Sequence, residues 1–175
     1  AVSKTFAHFM VQNYRESYNL FCISGILFNH ESPLRGEEFV TRKITMGLCK
    51  IAKGKLNHIE LGNIYAKRDW GFAGDYVEAI WKMMQYKKPT DFVVSTGKYF
   101  TIKYFINLAT KELGMQCYWK GKGLKEVLIN KKNKKVIIKI NKKFFRPAEV
   151  QLLIGNSSKA KKFLNWKSSV NLKEL

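Results

Sequence analysis

The stretch LFCISGILF at residues 20–28 constrains the fold more than any other part of the chain. It is almost continuously apolar, carries β-branched Ile23 and Ile26, and lacks the alternation of a strand with one wet face. Such a run is expected of a strand buried on both faces of a parallel sheet. Just before it, in residues 3–18, Phe6, Phe9, Met10, Tyr14 and Tyr18 recur at helical spacing. A helix running into a buried strand points to α/β architecture, since parallel strands are joined by crossovers that are usually helical.

The rest of the chain keeps that alternation. NHESPLRGEE reads as a polar loop, residues 39–54 as an amphipathic helix stopped by Gly54, and HIELGN as a short strand and turn. KRDWGF reads as a loop leading into a helix from Ala73 that ends before Pro89. DFVVSTG is a strand, TIKYFINLATKELG a helix and QCYW a strand; SSKAKKFLNW is a short helix with a serine N-cap. A final helix is expected to begin at NLKEL.

Cys22, Cys49 and Cys117 are odd in number, widely spaced and not grouped with His8, His30 or His58. Unpaired buried thiols in a reducing, cytoplasmic setting are expected, and a metal site is not. No apolar run approaches the ~20 residues that span a bilayer. The net charge of +19 is concentrated: residues 120–143 carry ten lysines, no arginine and one acid, Glu126. Without arginine forks or interleaved aromatics the segment reads as a solvated hairpin with outward lysines, not as a nucleic-acid reader.

Taken in order, NHESP, FVTRKI, LGNIYAKRDWGFAGDYVEAIW, STG, RPAEV and SKAKKFLNWK resemble the GDP-mannose 4,6-dehydratases, of the extended short-chain dehydrogenase/reductase family. The similarity is collinear from Ala1 to Leu175 except around the lysine-rich hairpin. It implies a Rossmann-type fold whose last part is residues 1–28, followed by a mainly substrate-binding α/β region, 29–175. It also implies NADP as cofactor, GDP-mannose as substrate, and a homodimer or homotetramer.

In this family the opening helix begins with Tyr-x-x-x-Lys. The resemblance makes Lys4 the motif lysine, a catalytic and cofactor-binding residue, and places the tyrosine immediately before Ala1. A tyrosine with a pKa of about 10 is a poor base at neutral pH, and an ammonium one helical turn away favours its phenolate. By the same resemblance His30 and Arg35 contact NADP, and Asn29 binds the sugar nucleotide. Val40 lines the guanine pocket, while Lys43 and Arg68 meet the diphosphate. Arg146 and Glu149 meet phosphate and ribose, with Pro147 fixing their relative direction. A site drawing three cations together suits a nucleoside diphosphate.

The residues alone leave other roles open. Asn29 is also a loop-capping asparagine, Lys43 a solvated helix lysine, and Arg146 with Glu149 a surface ion pair. Asp69 is a candidate to orient Arg68, and Trp70 is expected to pack. The chain departs from the family pattern at Leu34, Phe72, Gly74 and Gln151; Phe72 with Gly74 is expected to loosen the helix entry. Neither the family's catalytic Thr and Glu nor a GxxGxxG loop occurs in these residues, so by themselves they are expected to be inactive and aggregation-prone. The alternatives are a non-catalytic nucleotide-sugar or polyanion-binding relative and a sister nucleotide-sugar reductase or epimerase.

Overall fold

The computed structural model describes residues 1–146 and 148–175 as two compact units. One comprises Ala1–Ser32, Asp69–Lys98 and Ile154–Leu175; the other comprises Pro33–Arg68 and Tyr99–Leu153. The units interleave along the chain, so compaction does not follow a single boundary after residue 28. The cause is parallel pairing, which draws residues 70–72 and 92–94 onto the strands near residue 28.

In the first unit, helix α1 (Val2–Tyr18) precedes strands β1 (Gly25–Leu27) and β2 (Asn29–Glu31). The α1 helix buries no side chain. Arg15 ties it to the unit, donating to both Asp91 oxygens at 3.0 and 3.2 Å and to Pro89 O. The run at 20–28 yields only the three-residue β1, all of it exposed. This corrects the expectation of a doubly buried strand: β1 pairs on one side only among the described residues, with Phe92–Val94.

The KRDWGF segment is not a loop. It forms β4 (Lys67–Arg68) and β5 (Trp70–Phe72), the second of which pairs in parallel with β2. Asn29 and His30 thus sit in a strand and not in the expected polar loop. From β5 the chain enters α3 (Ala73–Met84), which runs to β6 (Phe92–Val94). Tyr76, Ala79 and Met83 lie on one face of α3, three and four residues apart, and form the core with Phe92, Val94, Ala160, Leu164 and Trp166. Burial of each large side chain contributes roughly 1.5–3 kcal/mol. Trp70 packs as expected, at 3% exposure. Phe72 and Gly74 are complementary and do not loosen the entry: a Cβ on Gly74 would run into the Phe72 ring.

The second unit holds α2 (Val40–Ala52), β3 (Ile59–Leu61), β4, β7 (Phe100–Thr101), α4 (Ile102–Glu112), β8 (Cys117–Lys120), β9 (Val127–Asn130), β10 (Val136–Ile140) and β11 (Leu152–Leu153). Its main sheet has the order β3-β10-β9-β8. Ile44 and Leu48 of α2, Ile106 of α4 and Leu128, Ile137 and Ile138 of the sheet are almost fully buried. Gly47 lets α2 approach β3, since a Cβ there would lie 2.6 Å from Ile59 Cδ1.

The lysine-rich segment is the β9–β10 hairpin with its flanking turns, and all ten of its lysines are exposed. Glu126, the one acid among them, is turned inward at 2% exposure. It accepts from Lys103 Nζ of α4 at 2.6 Å and from the Tyr65 hydroxyl at 2.8 Å.

Back in the first unit, α5 (Ser158–Leu164) starts at Ser157, but the capping side chain is Asn156, whose Oδ1 accepts from Ser158 N. NLKEL forms a single turn in which Asn171 and Glu174 cap one another. The three thiols are free and half-buried, and burial pushes that of Cys117 up.

Candidate functional site

Strands β1 and β6 run in parallel, with Leu27 opposite Val94, so their carboxyl ends lie side by side. Phe28, Asn29 and His30 leave one strand there, and Ser95, Thr96 and Gly97 leave the other. Such an edge is where open α/β sheets collect ligands.

Asp69 builds this edge. Its fully buried carboxylate accepts from Thr96 N at 2.9 Å, Thr96 Oγ1 at 2.7 Å, Gly97 N at 2.9 Å and Gly155 N at 3.4 Å. It therefore organises the loop after β6 instead of orienting Arg68. The sequence signal was present in the Asp of RDWG and the STG that follows β6, but nothing local links them.

His30 is half-buried, and its Nδ1 lies 2.9 Å from Phe28 O. A carbonyl oxygen only accepts, so Nδ1 carries the proton and Nε2 of the neutral ring is the acceptor. The imidazole also lies 5.3 Å, centroid to centroid, from the ring of Tyr76. Burial, reinforced by Asp69, Asp75 and Glu31, pushes the Tyr76 hydroxyl well above the usual tyrosine range, so it is not a base at neutral pH. Lys4 stands exposed on α1, and no hydrogen bond or ion pair engages its ammonium among the described residues.

In the second unit, Arg68 on β4 is largely buried. Its guanidinium pairs with Glu149 and donates to Val150 O at 2.6 Å and Lys67 O at 2.8 Å. Glu149 is thus the partner of Arg68, not of Arg146, because β11 pairs in parallel with β4 and brings residues 149–151 beside Arg68. Arg146 is exposed, and Pro147 lies outside the described residues.

Val40 opens α2, half-buried. Lys43, one turn on, holds its ammonium 4.0 Å from the centroid of the Phe144 ring. Burial lowers its pKa, and Glu60 partly restores it. Lys43 thus meets Phe144, while Arg68 meets Glu149 and Val150. Arg35 lies over the Phe39 ring at 3.6 Å.

Lys43 also lines a cleft of about 260 Å³ with Met46, Gly47, Leu56, His58 and Glu60. Among the described residues no cluster of His, Cys, Asp or Glu is arranged to hold a metal ion, and no helix is long and apolar enough to cross a membrane.

The model of the GDP-mannose 4,6 dehydratase family matches residues 1–175. The chain is 50% identical to GDP-mannose 4,6 dehydratase 2 of Caenorhabditis elegans over its whole length, covering 46% of that protein. It is 47% identical to GDP-mannose 4,6 dehydratase of Homo sapiens over 99% of its length, again 46% of the relative. It thus spans about half the length of the curated relatives it matches. Among solved structures, RMD from Pseudomonas aeruginosa complexed with NADPH superposes with a TM-score of 0.80 at 18% identity, over 99% of this chain and 52% of that one. UDP-glucose 4-epimerase from Thermotoga maritima with UDP-glucose gives 0.74 at 22% identity, over 99% and 49%. At such identities the likeness establishes the α/β fold alone.

Proposed function

The chain belongs to the GDP-mannose 4,6-dehydratase family, and from that premise we propose that it is part of a hydro-lyase that converts GDP-α-D-mannose to GDP-4-dehydro-6-deoxy-α-D-mannose with NADP. This is the opening step toward GDP-fucose and other GDP-deoxyhexoses. The observation that carries the reading is the family match along all 175 residues.

The residues present fit part of the cofactor. Lys4 offers an unengaged ammonium, and His30 an Nε2 that makes no hydrogen bond among the described residues. No GxxGxxG loop occurs in this sequence, so a pyrophosphate cradle at a helix N-terminus is not among these residues. Bound NADP would supply the hydride acceptor and donor that oxidation at sugar C4 and reduction at C6 require.

Lys4 supplies positive charge that favours a phenolate on a tyrosine one turn before it, and donors toward a ribose. Asn29, at the strand edge, offers an amide to the sugar nucleotide. Lys43, Arg68 and Arg146 supply cations for the diphosphate, and Val40 contacts guanine. Arg68 has five N–H donors, of which three are engaged by Glu149, Val150 and Lys67, leaving two for a ligand. Arg35 serves the cofactor phosphate. Glu149 holds Arg68 and accepts from ribose. The assembly we propose is a cytoplasmic homodimer or homotetramer.

The test is the full-length protein incubated with GDP-mannose and a trace of NADP. Loss of one water and appearance of a 4-keto sugar support the reading; recovery of unchanged GDP-mannose from a folded protein refutes it.

A further inference from the structure

We propose that Tyr76 is a positioning residue for His30, holding the imidazole so that Nε2 is presented as an acceptor to a ribose or sugar hydroxyl or an amide N–H, and not to a phosphate oxygen. The proposal rests on the reading that His30 is a ligand contact of this enzyme.

The argument starts from strand register. In the β2–β5 pair, His30 stands directly opposite Gly71. With no side chain at 71, the space beside His30 is filled by the Tyr76 ring from the following helix. A Cβ on Gly71 would lie 2.5 Å from Tyr76 Cε2, closer than side-chain atoms pack. The ring is itself immobilised, at 1% exposure, with Trp166 edge-on at 6.1 Å and 88°. Trp166 is anchored in turn by its Nε1–H donating to Asp75 O at 2.8 Å. A line of three rings thus runs from buried Trp166 through Tyr76 to His30 at the strand edge, the last two 5.3 Å apart and tilted by 38°.

That packing fixes the plane of the imidazole, and the Phe28 carbonyl fixes its tautomer. The hydrogen bond consumes the one N–H of the neutral ring, so Nε2 carries a lone pair. A lone pair attracts donors and repels a phosphate oxygen. His30 therefore reads a hydroxyl or amide, and the 2′-phosphate of the cofactor must be gripped by another group. The Tyr76 hydroxyl has no hydrogen-bond partner among the described residues. What His30 uses is therefore the ring of Tyr76 and not its oxygen.

The experiment uses full-length protein with ¹⁵N-labelled histidine, read by long-range ¹H–¹⁵N spectra, with NADP⁺ and NAD⁺ binding measured above neutral pH. Wild type is expected to show a protonated Nδ1 and a pyridine-like Nε2 at His30. Tyr76→Phe should keep both that signature and the affinity. Tyr76→Leu should mix the tautomers and weaken NADP⁺ binding about tenfold; should that variant not fold, Gly71→Ala, which crowds the ring from the strand side, should mix them as well. His30→Phe should weaken NADP⁺ and NAD⁺ by the same factor.

An Nε2–H tautomer in wild type would overturn the proposal. So would an unchanged signature in both Tyr76→Leu and Gly71→Ala, or a Tyr76→Phe as defective as Tyr76→Leu. A loss confined to NADP⁺ in His30→Phe would assign the phosphate to His30 and likewise overturn it. Failure of the dehydratase reading shows separately, as absence of turnover by wild type whose His30 spectrum is as expected.

Discussion

Removing the Asp69 carboxylate should be among the most damaging single changes in the first unit. Asp69 is fully buried and accepts three close hydrogen bonds, at 2.7, 2.9 and 2.9 Å, and a longer one at 3.4 Å. A hydrogen bond to a charged acceptor is worth about 1.5–3 kcal/mol, and each buried donor left unpaired costs about 1–3 kcal/mol. The three close bonds share one carboxylate, so their losses do not simply add, and removing a buried charge returns part of the cost. Asp69→Ala should therefore lose about 3–5 kcal/mol, a large share of the ~5–15 kcal/mol that holds a typical domain together. Asp69→Asn keeps one acceptor but turns an NH₂ toward N–H donors, for a loss of about 2–3 kcal/mol. Urea unfolding of the full-length protein, followed by tryptophan fluorescence at unchanged slope, measures both. Losses within about 1 kcal/mol of zero, or Asn more damaging than Ala, would refute the reasoning.

Arg68→Lys should raise the KM for GDP-mannose by at least tenfold with a smaller change in kcat, because an ammonium cannot span Glu149 and Val150 O while offering two further donors (about 1.4 kcal/mol per tenfold); steady-state kinetics that match wild type would contradict this. Lys103→Met should cost about 3 kcal/mol by leaving Glu126 buried with only the Tyr65 hydroxyl, as thermal unfolding will show; a neutral outcome would refute the ion pair's role. Gln at Lys131, Lys132, Lys134 and Lys135 together should leave stability within about 0.5 kcal/mol, since these lysines are exposed and make no ion pair among the described residues; salt-sensitive capture of heparin by wild type, lost in the variant, would favour the polyanion-binding alternative. Burial raises the pKa of Asp91, but hydrogen bonds from Arg15 and Ser24 outweigh it and hold the carboxyl below its usual value. Its contribution to stability is therefore complete above the unfolded-state pKa of about 4 and lost as pH falls through the folded value. Stability should therefore fall more steeply with acid in wild type than in Arg15→Gln, the two converging at low pH; identical profiles would count against it.

Helices were the legible part of the fold because their signal is local: Tyr76, Ala79 and Met83, or Ile44 and Leu48, recur at helical spacing on buried faces. The short strands were not, because two- and three-residue parallel strands have no local pattern and are defined by distant partners. KRDWGF, with Asp, Gly and two charges, looked like a loop until β2, β7 and β11 paired with it. The same non-locality hid the pairing of Arg68 with Glu149, although the resemblance had pointed to both. Glu126 carries no local signal among ten lysines, and only the fold shows it turned toward Lys103. The 20–28 run misleads for the opposite reason: its composition suits a buried strand, but the described residues supply β1 with a neighbour on one side alone.

An internal redox dehydration is tested most directly by following the hydride. Full-length protein given GDP-mannose deuterated at sugar C4, with unlabelled NADP, should form GDP-4-dehydro-6-deoxymannose with the deuterium in its C6 methyl group. Deuterium lost to solvent, deuterium accumulating on free cofactor, or labelled GDP-mannose left intact by a folded protein would contradict the account.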